Sequence, residues 1–143
     1  MNDIEIGNIL KSKGLSNTAQ RRQVFKLLLT SDPITIAEIA KYLESTCDRA
    51  TVYRIIEQFE SGHIIHKIHR GFKVLFEISD EYSDHHHHAY CNDCGANIDL
   101  AENPELELVI QNIIDKLEFT NVCHTLEITG RCKNCQLKIN TPN

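Results

Sequence analysis

Two Cys-x-x-Cys pairs, Cys91/Cys94 and Cys132/Cys135, constrain this chain more than any other feature. A two-residue spacer lets one tight turn aim both sulfurs at a single ion, and zinc favours tetrahedral thiolate coordination. Two such pairs make a closed four-thiolate structural zinc site with no position left open for a substrate. The 37 residues between them, 95–131, are long for a simple ribbon, but a strand–helix–strand excursion would return the chain to its start. No stretch has the form of a signal peptide, and no apolar run approaches the ~20 residues that span a bilayer. A soluble, cytoplasmic protein is therefore expected, and in a reducing compartment six cysteines are metal ligands before they are disulfides. Cys47 and Cys123 fall outside both pairs and read as free thiols.

A chain of 143 residues, 41% apolar, suits one compact domain or two small ones. Its net charge of −5 is wrong for a nucleic-acid binder until it is divided along the sequence. Residues 1–79 carry eleven Lys/Arg against nine Asp/Glu, whereas 80–143 carry four against eleven. From Lys11 to Lys73 the balance is eleven against six, a modest positive footprint for phosphates.

The positive part reads as short helices. IEIGNILKSKG is apolar at Ile6, Ile9 and Leu10 and stops at Gly14; TAQRRQVFKLLLTS starts at Thr18 and buries Val24, Phe25, Leu27 and Leu28. TIAEIAKYLES opens with a Thr35/Glu38 capping box, and DRATVYRIIEQFESG runs from an Asp48 cap to Gly62 with Val52, Ile55, Ile56 and Phe59 inward. HIIHKIHRGFKVLFEIS follows as two β-rich runs joined at Arg70–Gly71, a hairpin signal. Helices followed by a two-stranded ribbon predict a winged helix-turn-helix, which reads double-stranded DNA by laying its second helix in the major groove. Arg49, Thr51, Tyr53 and Arg54 fall on the face of that helix turned from the core.

The acidic part predicts strand, knuckle, strand, helix, strand, knuckle. NPELELVIQNIIDKL has Asn103 as cap, Pro104 at the first position, and Leu106, Val109, Ile110, Ile113, Ile114 and Leu117 in one stripe. Such a stripe reads as a helix buried in a core. The expected architecture is α+β: a winged-helix domain over 1–79, a His-rich hinge over 80–88, and a small α/β domain with the four-cysteine zinc site over 89–143.

Four consecutive histidines, His85 to His88, precede the first knuckle; being internal, they are not an expression tag. In an extended segment successive side chains point to opposite faces, so His85 and His87 share one side and His86 and His88 the other. Such a run can serve two metal sites.

ATVYRIIEQFESGHI, the hairpin after it, and then HHHHAYCNDCG resemble the ferric uptake regulator superfamily of bacterial metal-dependent repressors, whose hallmark helix reads A-T-V-Y-R and is followed by a His-rich stretch and Cys-x-x-Cys. The resemblance runs from about residue 8 to Cys135. It implies a homodimer paired through the α/β domain. It also implies a regulatory metal held by Glu77, His86 and His88, with Asp99 at an acidic position used by some members and Asp32 where a histidine is common. An additional site in the dimerisation domain matches His85, His87, Glu107 and His124. Where the family often carries a basic minor-groove residue, this chain has Ser16–Asn17, with Arg21 following as a DNA-contact candidate. The function implied is metal-responsive repression, of metal-uptake genes, with the structural zinc joined by Fe(II), Zn(II) or Mn(II), all of which suit a His/carboxylate site. A peroxide-sensing branch is the alternative: its usual Asp matches Asp99, while its usual wing Asp is here Glu77.

An enzyme is the rival class, as a zinc hydrolase or deaminase. The deaminase pattern of His-x-Glu followed by Pro-Cys-x-x-Cys is missing, as are a nucleophile elbow, a phosphate-cradling glycine loop and His-Glu-x-x-His. A metal buffer would explain the second half but leave the winged helix idle.

Overall fold

The structure, a computed structural model, describes residues 1–143 apart from 71, 84, 85, 121, 123 and 140–143. The Gly71 half of the expected turn, the ligand candidate His85 and the thiol of Cys123 lie outside the described residues. The chain divides into two compact units, Met1–Asp84 and His85–Asn143.

In the first unit, local signals set each helix boundary. Helix α1 (Asp3–Ser12) starts at a capping box in which Asn2 accepts from the Glu5 amide and Glu5 answers the Asn2 amide. It ends in a Schellman turn: Leu15 N donates to Leu10 O at 2.8 Å and Gly14 N to Lys11 O at 3.0 Å, with Gly14 left-handed at φ 73°. Helix α2 (Ala19–Thr30) is capped by Thr18, and strand β1 (Ile34–Thr35) leads into α3 (Ile36–Tyr42) through the Thr35/Glu38 box. Asp48 caps α4 (Arg49–Ser61). Beyond Gly62 the same Schellman pattern recurs, but the left-handed position is taken by His63, φ 55°, and not by the glycine.

The apolar faces of these helices close one core. Val24, Phe25, Leu28, Val52, Ile55, Ile56 and Phe59 are buried with Ile6, Leu10, Ile39 and Ile64. Phe25 meets Phe59 and Tyr82 edge-on, at ring separations of 6.3 and 5.6 Å. Strands β2 (Ile65–Arg70) and β3 (Lys73–Ile78) form the hairpin in the register Ile65↔Ile78 to Arg70↔Lys73. β1 adds to the free edge of β3, so the wing is a three-stranded sheet and not the two-stranded ribbon expected. A two-residue strand carries no readable alternation, which is why the sequence did not disclose it.

In the second unit, β4 (His87–Cys91) is the central strand, pairing antiparallel with β5 (Asn97–Leu100) and parallel with β6 (Glu127–Gly130). Parallel pairing demands a crossover, and α5 (Pro104–Leu117), capped by Asn103, supplies it. The second knuckle opens a further helix, α6 (Lys133–Ile139), where none was expected.

The reading of α5 as a core helix is corrected here. None of its residues is buried, and Leu108, Val109, Ile113 and Leu117 are more than half exposed. Ile98 and Ile128 of the sheet are half exposed too. Large apolar side chains left exposed along one helix are not a finished core.

Candidate metal centres and nucleic-acid interface

The crossover brings the two knuckles together. β4 ends at Cys91, opposite Gly130 at the end of β6, and Cys132 lies two residues further on. One ligand atom from each of Cys91, Cys94, Cys132 and Cys135 falls within 4.8 Å of all the others, with Cys94 Sγ 3.8 Å from Cys132 Sγ. Backbone turns shape each knuckle: Gly95 N donates to Cys91 O at 2.9 Å and Cys135 N to Cys132 O at 3.1 Å. Outside the cluster, Arg131 donates to the Asp93 carboxylate and clips the knuckles to one another.

The four thiols differ in how readily they ionise. Cys91 is drawn down to about 6, chiefly because the Cys132 amide donates to its sulfur, helped by the Cys94 amide. Cys135 is pushed up to about 12, because its thiol proton is held by Cys94 and by burial among the other sulfurs. Four thiolates cannot ionise side by side without a compensating charge, and a zinc ion supplies that charge. The donor set fits structural zinc.

The histidine run alternates as an extended chain must. His87, 2% exposed, faces α5: its Nε2 lies 2.9 Å from Glu107 Oε1, and Glu107 Oε2 lies 3.3 Å from His124 Nε2. These three side chains form a second compact group of possible ligands. His88, on the opposite face, pairs ring to ring with His86 at 4.7 Å. Its Nδ1 lies 3.0 Å from Asp99 Oδ1, across the β4–β5 register that sets His88 opposite Asp99. Asn97, which sequence reasoning missed, donates to Asp99 Oδ1 at 3.2 Å and lies as close to His88 Nδ1. The Asp99 carboxylate thus fixes the orientation of the His88 ring through Nδ1. Glu77 is half-buried on β3 opposite His66, and Asp32 is exposed in the turn between α2 and β1, both in the first unit.

On α4 the residues expected to meet DNA divide by what holds them. Tyr53, Arg54 and Arg49 are exposed. The Arg49 guanidinium sits 5.7 Å above the Tyr53 ring, with Nη2 3.4 Å from the phenol oxygen. Thr51 is half-buried, and its hydroxyl donates to Asp48 Oδ2 at 2.6 Å, reinforcing the helix cap. Arg21 braces the unit: Nη1 donates to Ser16 O at 2.9 Å and to the Ser16 hydroxyl, and Nη2 donates to Gln58 Oε1 at 2.6 Å. Ser16 and α4 are thereby fixed to α2.

A winged helix with an exposed aromatic–arginine face, followed by a module built on a four-thiolate knuckle and two histidine clusters, defines the class: a DNA-binding regulator that responds to metal. A sequence model described as the Ferric uptake regulator family matches residues 12–129, and the chain belongs to that family. The ferric uptake regulation protein of Neisseria meningitidis serogroup A is 30% identical over 135 residues, spanning 90% of this chain and 92% of the relative. The structure of the ferric uptake regulator from Pseudomonas aeruginosa with manganese is 26% identical, with a TM-score of 0.74 over 90% of this chain and 98% of that one. That of the Helicobacter pylori regulator, described as having three functional metal binding sites, is 26% identical, with a TM-score of 0.72 over 95% of both chains.

Proposed function

We propose that the protein works as a homodimeric repressor of metal-uptake genes that binds its operator when the regulatory metal is present. The observation that carries this is the alternation along β4, where adjacent residues enter two different donor groups, His87 with Glu107 and His124, and His88 with His86 and Asp99. Cys91, Cys94, Cys132 and Cys135 hold structural zinc. Glu77, His86 and His88 hold the regulatory ion, with Asp99 orienting His88 and Asp32 offering a further carboxylate; His87, Glu107, His124 and His85 make the additional site. Relatives with iron, manganese and zinc, among them a zinc-bound manganese uptake regulator, support a donor set open to all three ions.

The bound ion supplies a divalent charge that demands several ligands at once. Glu77 belongs to the first unit and His86 and His88 to the second, so sharing an ion favours arrangements of the units in which all three can reach it. A hundredfold preference for the DNA-competent arrangement is worth about 2.7 kcal/mol. Arg54 and Tyr53 meet the operator directly, whereas Arg21 and Thr51 hold the reading helix in place. A second copy of the chain covers the apolar face of α5 and spaces two reading helices for a two-fold operator.

Anisotropy of a labelled operator duplex, titrated at fixed salt with Fe(II), Mn(II) and Zn(II) in turn, tests this reading. Wild type should gain affinity with at least one ion and lose it to chelator, and His88→Ala should be indifferent to the ion while still dimeric. Equal affinity with and without every ion would sink the proposal. If mild peroxide on the Fe(II) form instead adds 16 Da to His86 or His88 and abolishes binding, peroxide sensing takes precedence.

A further inference from the structure

The first turn of α4 breaks a local rule. The cap Asp48 supplies the acid that the helix dipole favours at this end, but the first turn itself holds no acid and opens with Arg49. Among the described residues no carboxylate forms an ion pair with Arg49, although Asp48 stands beside it at the cap. Its guanidinium lies instead over the Tyr53 ring, four residues on, in a cation–π contact. Departures from local preference without a structural return concentrate where a residue serves binding.

The contact has a chemical consequence. A guanidinium held over an aromatic ring and against its hydroxyl loses rotamer freedom while keeping most of its N–H donors open. Only the Nη2 contact at 3.4 Å touches Tyr53 Oη, leaving the other donors for a ligand. The opposite face of α4 is committed to the core through Val52, Ile55, Ile56 and Phe59, so Arg49 and Tyr53 project together from the exposed side. In the major groove, guanine alone presents two acceptors, O6 and N7, at the spacing of the Arg fork; adenine places a donor at N6, and the pyrimidines offer no such pair.

We propose that Arg49 is a specificity-determining residue that selects a guanine in each operator half-site, with Tyr53 restraining its guanidinium on the exposed side of α4. This rests on α4 being the reading helix. A bidentate pairing of Arg49 with guanine predicts discrimination of about 10- to 100-fold against other bases at that single position.

The test is selection of the full-length, Mn(II)-loaded protein on a randomised double-stranded library, followed by affinity on the winning duplex. Wild type should return a two-fold motif with one strongly enriched guanine per half-site. Arg49→Ala should return the same motif with that position flattened, and Arg49→Lys should keep a weaker guanine preference. Replacing that guanine by 7-deazaguanine, which lacks the N7 acceptor, should weaken wild type about tenfold and leave Arg49→Ala unchanged. Thermal melting of both variants guards against loss of fold, since alanine and lysine are good helix formers. If Arg49→Ala keeps the guanine, or weakens every sequence alike with a shallower salt dependence, Arg49 meets phosphate and the proposal falls. If Tyr53→Ala and Arg54→Ala also leave motif and affinity untouched, α4 is not the reader, and that wider failure is distinguishable from the first.

Discussion

His63 holds a left-handed backbone conformation, φ 55°, that L-residues other than glycine adopt at a cost of roughly 1–2 kcal/mol. His63→Gly should therefore stabilise the first unit by about 1 kcal/mol, seen as a higher urea midpoint at unchanged slope. Phe25 sits at the other extreme: fully buried between Phe59 and Tyr82, it should cost about 3–5 kcal/mol when cut to alanine. At Asp48, hydrogen bonds from the Thr51 hydroxyl and amide hold the carboxyl below its ordinary range. The cap's contribution is thus complete above the unfolded value of about 3.9 and fades as pH falls through the lower folded value. Asp48→Asn keeps a capping side chain but should flatten this part of the stability profile below about pH 4 in acid titrations followed by circular dichroism. Arg21→Ala should weaken operator binding with no change in salt slope, because its guanidinium is spent on Ser16 and Gln58; a slope shallower by about 0.9 would mean a lost phosphate contact.

At the scale of elements, α5 shows where pattern reading stops. Its stripe from Leu106 to Leu117 was legible, but an apolar stripe is the same whether its cover comes from the same chain or from another. Only the exposure of Val109, Ile113 and Leu117 tells the two apart. Val109→Asp should give a folded protein of monomeric mass by sedimentation; an unchanged dimer would locate the interface elsewhere. The caps at Thr18, Thr35, Asp48 and Asn103 were readable because each satisfies amides within three residues. What escaped was non-local: β1 against β3, Asn97 beside His88, Arg131 across to Asp93. Sequence spacing holds no record of contacts that depend on which strands become neighbours.

For the whole molecule, the first unit has its own apolar core while the second is tied together at four sulfurs, so the two should respond differently to loss of zinc. Calorimetry after exhaustive chelation should show the second unit's transition lowered or lost and the first unit's largely kept; Cys94→Ser should do the same and release about one zinc per chain. Collapse of both transitions together would mean that the units are not independent in stability. The alternation of β4 also places a rule of parity on the gene. Inserting or deleting one residue between His86 and Tyr90 would exchange odd and even positions, turning His87's place toward Asp99 and His88's toward Glu107, and damage both donor groups in one event. Changes by two residues preserve the faces. By this rule a one-residue change in the length of the strand should disturb both donor groups, whereas a single substitution can alter one without the other.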